Sequence, residues 1–232
     1  GSGNLANYTL VSLAALGIGN IEIYDSSKVN SDREFLLFRA ADGEHKAKAL
    51  EFILRQINPI SKIRGVTMPL STGLIAVLGQ PDIIVEVTNS QQSKGRVLEY
   101  AQSRGTKVVS AYADENRAEM HFVNPGDRLP EADFRTYEGR SQGVTPSGVA
   151  GGMITEEIRK SIMPLIEGEV PVKNVAYSLS SPKRFSNEDG NFRKEDLQDK
   201  KILIIGAGAL GNFVALGAAL EVIGNIDILA FD

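Results

Sequence analysis

Lys201-Ile202-Leu203-Ile204-Ile205-Gly206-Ala207-Gly208-Ala209-Leu210-Gly211 is the stretch that decides the fold. Four aliphatic residues in a row, too few for a helix, read as a strand covered on both faces. The spacing Gly-x-Gly-x-x-Gly follows at once and leads into a helix, and Ile226 to Phe231 reads as the next strand. In that context the first glycine makes a tight turn, the second lets a phosphate approach the backbone, and the third packs helix on strand. The helix N-terminus then presents free N–H groups and the positive end of its dipole to an anion. Gly206, Gly208 and Gly211 are therefore candidate nucleotide-binding residues; the alternative is a purely structural glycine turn. Asp232, just past the following strand, is a candidate for the acid that holds ribose hydroxyls.

The same alternation extends outward. Helices are expected over roughly 4–17, 45–57, 70–78, 90–104 and 147–166, and strands over 20–25, 62–68, 82–87, 108–111, 117–123 and 174–179. Asn58-Pro59 stops the second helix and Gly105 closes the fourth. Residues 26–43 and 127–147 read as polar loops, and 181–200 as a linker by composition. Strands and helices alternating at this length indicate a Rossmann-like α/β fold, a doubly wound, mostly parallel sheet with helices on both faces.

The two ends of the chain match each other. Aligning Gly1 with Gly206 without gaps gives ten identities in twenty-four positions, among them Gly3/Gly208, Leu5/Leu210, Asn7/Asn212 and the run Ile18-Gly19-Asn20-Ile21 against Ile223-Gly224-Asn225-Ile226. Shared turn geometry accounts for the glycines but not for that run, so a duplication is expected. Gly1 and Gly3 become a second candidate phosphate turn, and Asp25, at the end of the next strand, its ribose acid; the alternative for Asp25 is a solvated strand-end carboxylate. The first copy has no strand ahead of its glycines, and a gap there would leave two neighbours with unpaired backbone. Three readings follow: a piece of a longer tandem protein, a permuted domain in which 201–205 fills the gap, or a terminal Gly-Ser left by cloning. The expected organisation is a nucleotide-binding domain at 1–180 lacking its first strand, a linker at 181–200, and a strand–turn–helix–strand unit at 201–232.

Composition excludes several classes. The 25 Lys and Arg against 29 Asp and Glu, unclustered, give no nucleic-acid footprint. There is no cysteine, which removes disulfides, thiolate metal sites and a cysteine nucleophile, and the two histidines argue against a multi-histidine metal site. Apolar runs are interrupted by Asn, Gly or Glu, so no membrane span is expected and neither is a membrane partner. Without a secretory signal, a cytoplasmic location is the expectation.

Set in order, Gly-x-Gly-x-x-Ala at 1–6, Ile18-Gly19-Asn20-Ile21, Asp25, Arg33-Glu34-Phe35-Leu36, Asp42-Gly43-x-x-Lys46-Ala47, Ile57-Asn58-Pro59 and Asp82 to Ser90 resemble the ThiF/MoeB/ubiquitin-activating superfamily. Gly143-Val144-Thr145-Pro146, the helix carrying Glu156-Glu157-Ile158-Arg159-Lys160, and Arg184-Phe185-Ser186 ahead of strand 201–205 fit as well. The resemblance implies ATP- and Mg2+-dependent adenylation of the C-terminus of a ubiquitin-like or sulfur-carrier protein, by a homodimer or by a tandem or heterodimer with a related domain. It implies that Asp25 holds ribose and that Lys46 and Arg33 neutralise phosphate charge as pyrophosphate leaves. The alternatives are a solvated helix-face cation for Lys46 and a loop cation for Arg33, whose alignment needs a gap.

The departures from the pattern are specific. Asn89 stands where the superfamily has its metal-binding Asp, Ser27 replaces the second strand-end acid, Asn187 replaces an arginine that reaches a neighbouring subunit, and no thioester cysteine is present. Two rival readings follow. One is a non-catalytic partner subunit of the same superfamily, favoured by Asn89 and Ser27. The other is an NAD-dependent oxidoreductase, supported by Gly206-x-Gly208-x-x-Gly211 and weakened by the lack of a Tyr-x-x-x-Lys or His/Asp arrangement.

Overall fold

The computed structural model describes residues 1–30, 37, 40, 42–70, 79–127, 137, 139–179, 185, 197–221 and 223–230. Within them the chain runs α1 (Asn4–Leu16), β1 (Asn20–Tyr24), α2 (Lys46–Ile57), β2 (Lys62–Val66), β3 (Ile83–Glu86), α3 (Gln91–Arg104), β4 (Lys107–Ala113), β5 (Arg117–Val123), α4 (Val144–Ile162), β6 (Asn174–Ser178), β7 (Lys201–Ile205), α5 (Ala209–Leu220) and β8 (Asn225–Leu229). The helix expected at 70–78 lies largely outside the described residues.

Mixed α/β architecture is observed. β1 pairs with β2, β3 with β4, and β7 with β8, all parallel, while β4–β5 and β5–β6 are antiparallel. The antiparallel half is where periodicity runs out: a buried strand looks the same in sequence whichever way its neighbour runs. β4 is longer than the expected 108–111, because residues 107–113 all find partners on β5 or β3. α4 starts at Val144 rather than near 147 and ends at Ile162 rather than 166. Pro146 is tolerated in its first turn, where no intrahelical N–H is required, and Pro164 stops it.

One apolar core joins α1, α2, α4 and the sheets. Leu5, Leu50, Leu54, Ile63, Met120, Ile154 and Ile158 are fully buried in it. α1 and α4 pack closely because Gly151 presents no side chain: a Cβ there would sit 2.7 Å from Tyr8 Cβ. The β7–α5–β8 unit attaches through α5, whose Leu216 and Leu220 pack on this core. Glu221, just past α5, accepts a bond of 2.8 Å from the Thr145 amide in the first turn of α4, an anion at the positive end of a helix dipole. No helix among the described residues is long and apolar enough to cross a membrane.

Candidate functional site

The carboxyl ends of β1 and β3 open onto the Gly1-Ser2-Gly3 turn, the place where ligands bind in open parallel sheets. The Gly1 nitrogen donates to Tyr24 O at 3.2 Å. On its other side, a Cβ at Gly1 would lie 3.0 Å from Thr88 Cγ2 and 3.3 Å from Val87 O. The turn therefore spans the two strands. Gly3 caps α1 in an extended conformation, and its carbonyl accepts from Asn7 N at 2.9 Å.

Asp25 follows β1 and sits half-buried beside the turn. Its Oδ1 accepts from the Ser27 amide at 2.7 Å and from the Ser27 hydroxyl. Burial pushes the carboxyl up, but the Gly1 ammonium and the two Ser27 donors outweigh it and hold the acid below its ordinary value. Asp25 is thus an ionised acceptor at the strand end, and Ser27, which replaces a second acid, serves as its support.

Lys46 opens α2, its amide bonded to Ser27 O at 3.1 Å. The residue is buried. Gly65 allows α2 to lie this close to the sheet, since a Cβ there would come within 2.1 Å of Ala47 O. Arg33 and Asp232 lie outside the described residues, as does Asn187.

Beyond β3, Asn89 is committed to the backbone. Its Nδ2 donates to Ala113 O at 2.6 Å and to Arg140 O at 3.0 Å, and its Oδ1 accepts from the Ala113 amide at 3.3 Å. The amide clamps the end of β4 to the segment that leads into α4. Beneath it lies a feature that periodicity did not flag, a buried ion pair between Glu86 and Lys94, each about 2% exposed. Lys94 also donates to Ala111 O at 2.7 Å, and Glu86 accepts from the Thr88 amide at 2.9 Å and from the Thr88 hydroxyl. The pair holds the Thr88 turn against Gly1. Sequence offered a hint only in hindsight, a lysine on the inner face of a predicted helix.

Gln142 is the other residue missed. Its Oε1 accepts from the Leu5 amide at 3.0 Å, and its Nε2 donates to Val87 O at 2.9 Å. Asn4 Nδ2 anchors the Gln142 carbonyl at 2.8 Å. A Cβ at Gly3 would lie only 2.4 Å from that Oε1, so the side chain occupies the cradle the glycine leaves open. A neutral amide oxygen satisfies the helix N-terminus that would otherwise face an anion.

A second polar cluster lies on β4 and β5. Glu119 accepts from the Tyr112 hydroxyl at 2.6 Å and the Tyr137 hydroxyl at 3.1 Å, and pairs with Arg117 at 2.8 Å. Burial raises its carboxyl, but bonds from His121 and Tyr112 and the Arg117 charge bring it down to about 2. His121 Nδ1 meets Asn174 Oδ1 at 2.8 Å. Every contact is internal, so the cluster reads as a tie between β4, β5 and β6.

At the other glycine turn, Gly206 takes φ of 105°, open to glycine alone at low cost, and donates to Leu229 O at 2.7 Å. Gly211 cannot carry a side chain, because a Cβ would meet Gly206 O at 1.9 Å. Gly208 caps α5 in the conformation Gly3 shows, and its carbonyl accepts from Asn212 N at 3.0 Å.

The residues fit a nucleotide better than a metal. A glycine turn and a strand-end acid held below its ordinary value stand together. No group of three His, Asp or Glu suited to a metal forms among the described residues, and the Asn89 oxygen is already bonded.

Known proteins are similar to this chain in sequence or in fold. A family model described as the ThiF family matches residues 1–184. The chain is 31% identical over 117 residues to the adenylyltransferase and sulfurtransferase MOCS3 of Arabidopsis thaliana, covering 49% of this chain and 25% of that protein. It is 29% identical over 161 residues to the probable adenylyltransferase/sulfurtransferase MoeZ of Mycobacterium tuberculosis, covering 66% of this chain and 41% of that one. Its fold superposes on E. coli MccB crystallised with ATP at a TM-score of 0.68 and 17% identity, over 82% of this chain and 63% of that chain. The chain thus spans less than two thirds of each of these relatives. Matched over most of its length by the family model, with the glycine turn, α1 and the β1 acid all inside the match, the chain belongs to the ThiF family.

Proposed function

We propose that the chain takes part in ATP-dependent adenylation of the C-terminus of a ubiquitin-like or sulfur-carrier protein; MOCS3 and MoeZ, which it resembles, are described as adenylyltransferases and sulfurtransferases. The observation that carries it is the family match over residues 1–184 laid on a glycine turn between β1 and β3 with ionised Asp25 at its side. In this reading Gly1 and Gly3 face phosphate, Asp25 accepts from ribose hydroxyls, and Lys46, with Arg33, offsets charge as pyrophosphate departs. Gly206, Gly208, Gly211 and Asp232 would repeat the turn and acid in the second unit. The carrier carboxylate attacks the α-phosphorus, the bond to the β-phosphate oxygen breaks, and acyl-adenylate and pyrophosphate result. Magnesium would travel with the triphosphate. The partner is the carrier protein, joined by a second ThiF-type domain in the same assembly.

Gln142 and Asn89 favour a second reading, a non-catalytic partner subunit that keeps the fold. One occupies the α1 amide and the other is spent on backbone.

Carrier-dependent ATP–pyrophosphate exchange with Mg2+, beside thermal shifts with ATP-Mg2+, AMP and NAD, tests both. Exchange that falls at least ~100-fold in Lys46→Ala supports adenylation. Stabilisation by NAD alone would overturn it, and no response to any nucleotide would select the partner subunit.

A further inference from the structure

We infer that Glu51 and Arg55 of α2 close the outer edge of β2, the edge away from β1, and keep it from pairing with β2 of a second copy of this chain. The inference rests on hydrogen-bond geometry and stands apart from the adenylation reading. Among the described residues β2 has one ladder neighbour, β1. The Lys62 amide donates to Gly19 O at 2.8 Å, and Val66 O accepts from the Asp25 amide at 3.1 Å. In a parallel ladder each residue turns both of its peptide groups to one side, and successive residues alternate. With Asn20 opposite Lys62 and Tyr24 opposite Val66, residues 62, 64 and 66 face β1. Ile63 and Gly65 face the other way, each with one donor and one acceptor on the outer rim.

Two of those four groups are taken by α2. Arg55 donates to Ile63 O from Nε at 3.1 Å and from Nη2 at 2.8 Å. Glu51 Oε2 accepts from the Gly65 amide at 2.8 Å. The polarity is right at each point, a cation on the acceptor and an anion on the donor, so both contacts are charge-assisted. The spacing matches as well. Four residues of helix rise about 6 Å, and two residues of strand rise about 6.6 Å. One row of the helix therefore reaches successive outward peptides. Glu51 and Arg55 also pair with each other at 2.8 Å, and Lys48 holds Glu51 at 2.8 Å.

An edge with free peptide groups is a template for another strand. A two-fold axis at Arg64 would set Ile63 of one copy opposite Gly65 of the other, antiparallel. The outward groups of the two strands would then form four bonds. Arg55 and Glu51 occupy half of the groups that this ladder needs. The same axis would set Arg64 directly against its own copy, and like charges in that position repel. Arg64 is 61% exposed and held by Glu22 at 2.7 Å, on the strand it would have to leave clear. The excluded occupant is thus a second copy of β2, and the guard is an anion–cation row in register with the peptides it covers.

The test compares the full chain with its Glu51→Ala/Arg55→Ala variant, a change that leaves net charge unaltered. Self-association is read by sedimentation equilibrium, and amide hydrogen exchange at Ile63 is followed as concentration rises. The double variant is expected to self-associate at least ~10-fold more tightly than the parent. Exchange at Ile63 should slow at least ~10-fold in its associated state. Lys48→Ala removes an ion pair from the same row but leaves both edge bonds, and should behave as the parent. So should Glu51→Gln, whose amide oxygen still accepts from Gly65. Unchanged association of the folded double variant, association without protection at Ile63, or equal association in Lys48→Ala would overturn the inference. Should the double variant not fold, Arg55→Met keeps the apolar stem and frees the Ile63 carbonyl. Concentration-dependent protection at Ile63 in that variant supports the guard, and parental behaviour at every concentration rejects it.

Discussion

Residues 1–24 and 206–229 carry the same turn twice, and their surroundings differ sharply. Both enter the helix through a capping glycine, and both bond the glycine nitrogen to the end of the following strand. Yet Leu5 is fully buried and its counterpart Leu210 is 78% exposed, and Ile23 is 3% exposed against 55% for Ile228. Identical residues in identical local geometry are core in one unit and surface in the other. Local hydrogen bonding needs only the chain segment itself, whereas burial needs the layers that α4, α2 and β3 supply around the first unit. The first turn also has groups without a described equivalent around the second: the Glu86–Lys94 pair beneath it, Gln142 above it, and the Glu119 cluster in its sheet.

The comparison can be broken at each of these points. The largest effect is expected at the buried ion pair. Lys94→Met should cost about 4 kcal/mol by leaving the buried Glu86 carboxyl without its cation, while Lys94→Met with Glu86→Leu should recover most of it. Urea denaturation of both singles and the double reads this directly; additive losses would show that the pair does not act as a unit. Next, Leu5→Ala should lose about 3 kcal/mol and Leu210→Ala no more than ~0.5 kcal/mol. Equal losses would mean that the second unit is covered as fully as the first.

Glu119 gives the third. Its carboxyl titrates near 2 when folded against 4.5 for the ordinary group. Stability from this acid is therefore fully present above about pH 4.5 and is lost as pH falls toward 2, on the order of 3 kcal/mol in all. Denaturation midpoints followed from pH 6 to 2 should fall more steeply in the parent than in Glu119→Gln. Parallel profiles would show that the acid is unperturbed. The smallest effect is at Gln142. Gln142→Ala frees the Leu5 amide and should tighten ATP binding by roughly 5-fold if the side chain competes with phosphate. Weaker binding, measured by calorimetry, would make Gln142 a contact to the ligand instead.

Much of the fold was legible because periodicity and punctuation are local. Asn58-Pro59 and Gly105 mark helix ends that the structure keeps, and the aliphatic runs at 83–86 and 201–205 are strands. The turn at Gly1 and Asp25 beside it were legible from the repeat and from residue order. Gln142 was not, since the residue reaches the turn from 137 positions along the chain from Leu5. The role of Asn89 was half legible: its identity signals a missing acid, but its clamp on Ala113 and Arg140 depends on where β4 ends. The antiparallel turn of β5 and β6 and the early start of α4 also escaped periodicity, which records burial and not direction.

By itself, the order of residues determined the α/β alternation, the two glycine turns and the strand-end acid, because each follows from backbone preferences within a few residues. Only the tertiary structure decided which of the two turns lies in a core and which amide is already satisfied by a distant glutamine. Those depend on contacts between segments far apart in sequence, whose energies no local pattern encodes.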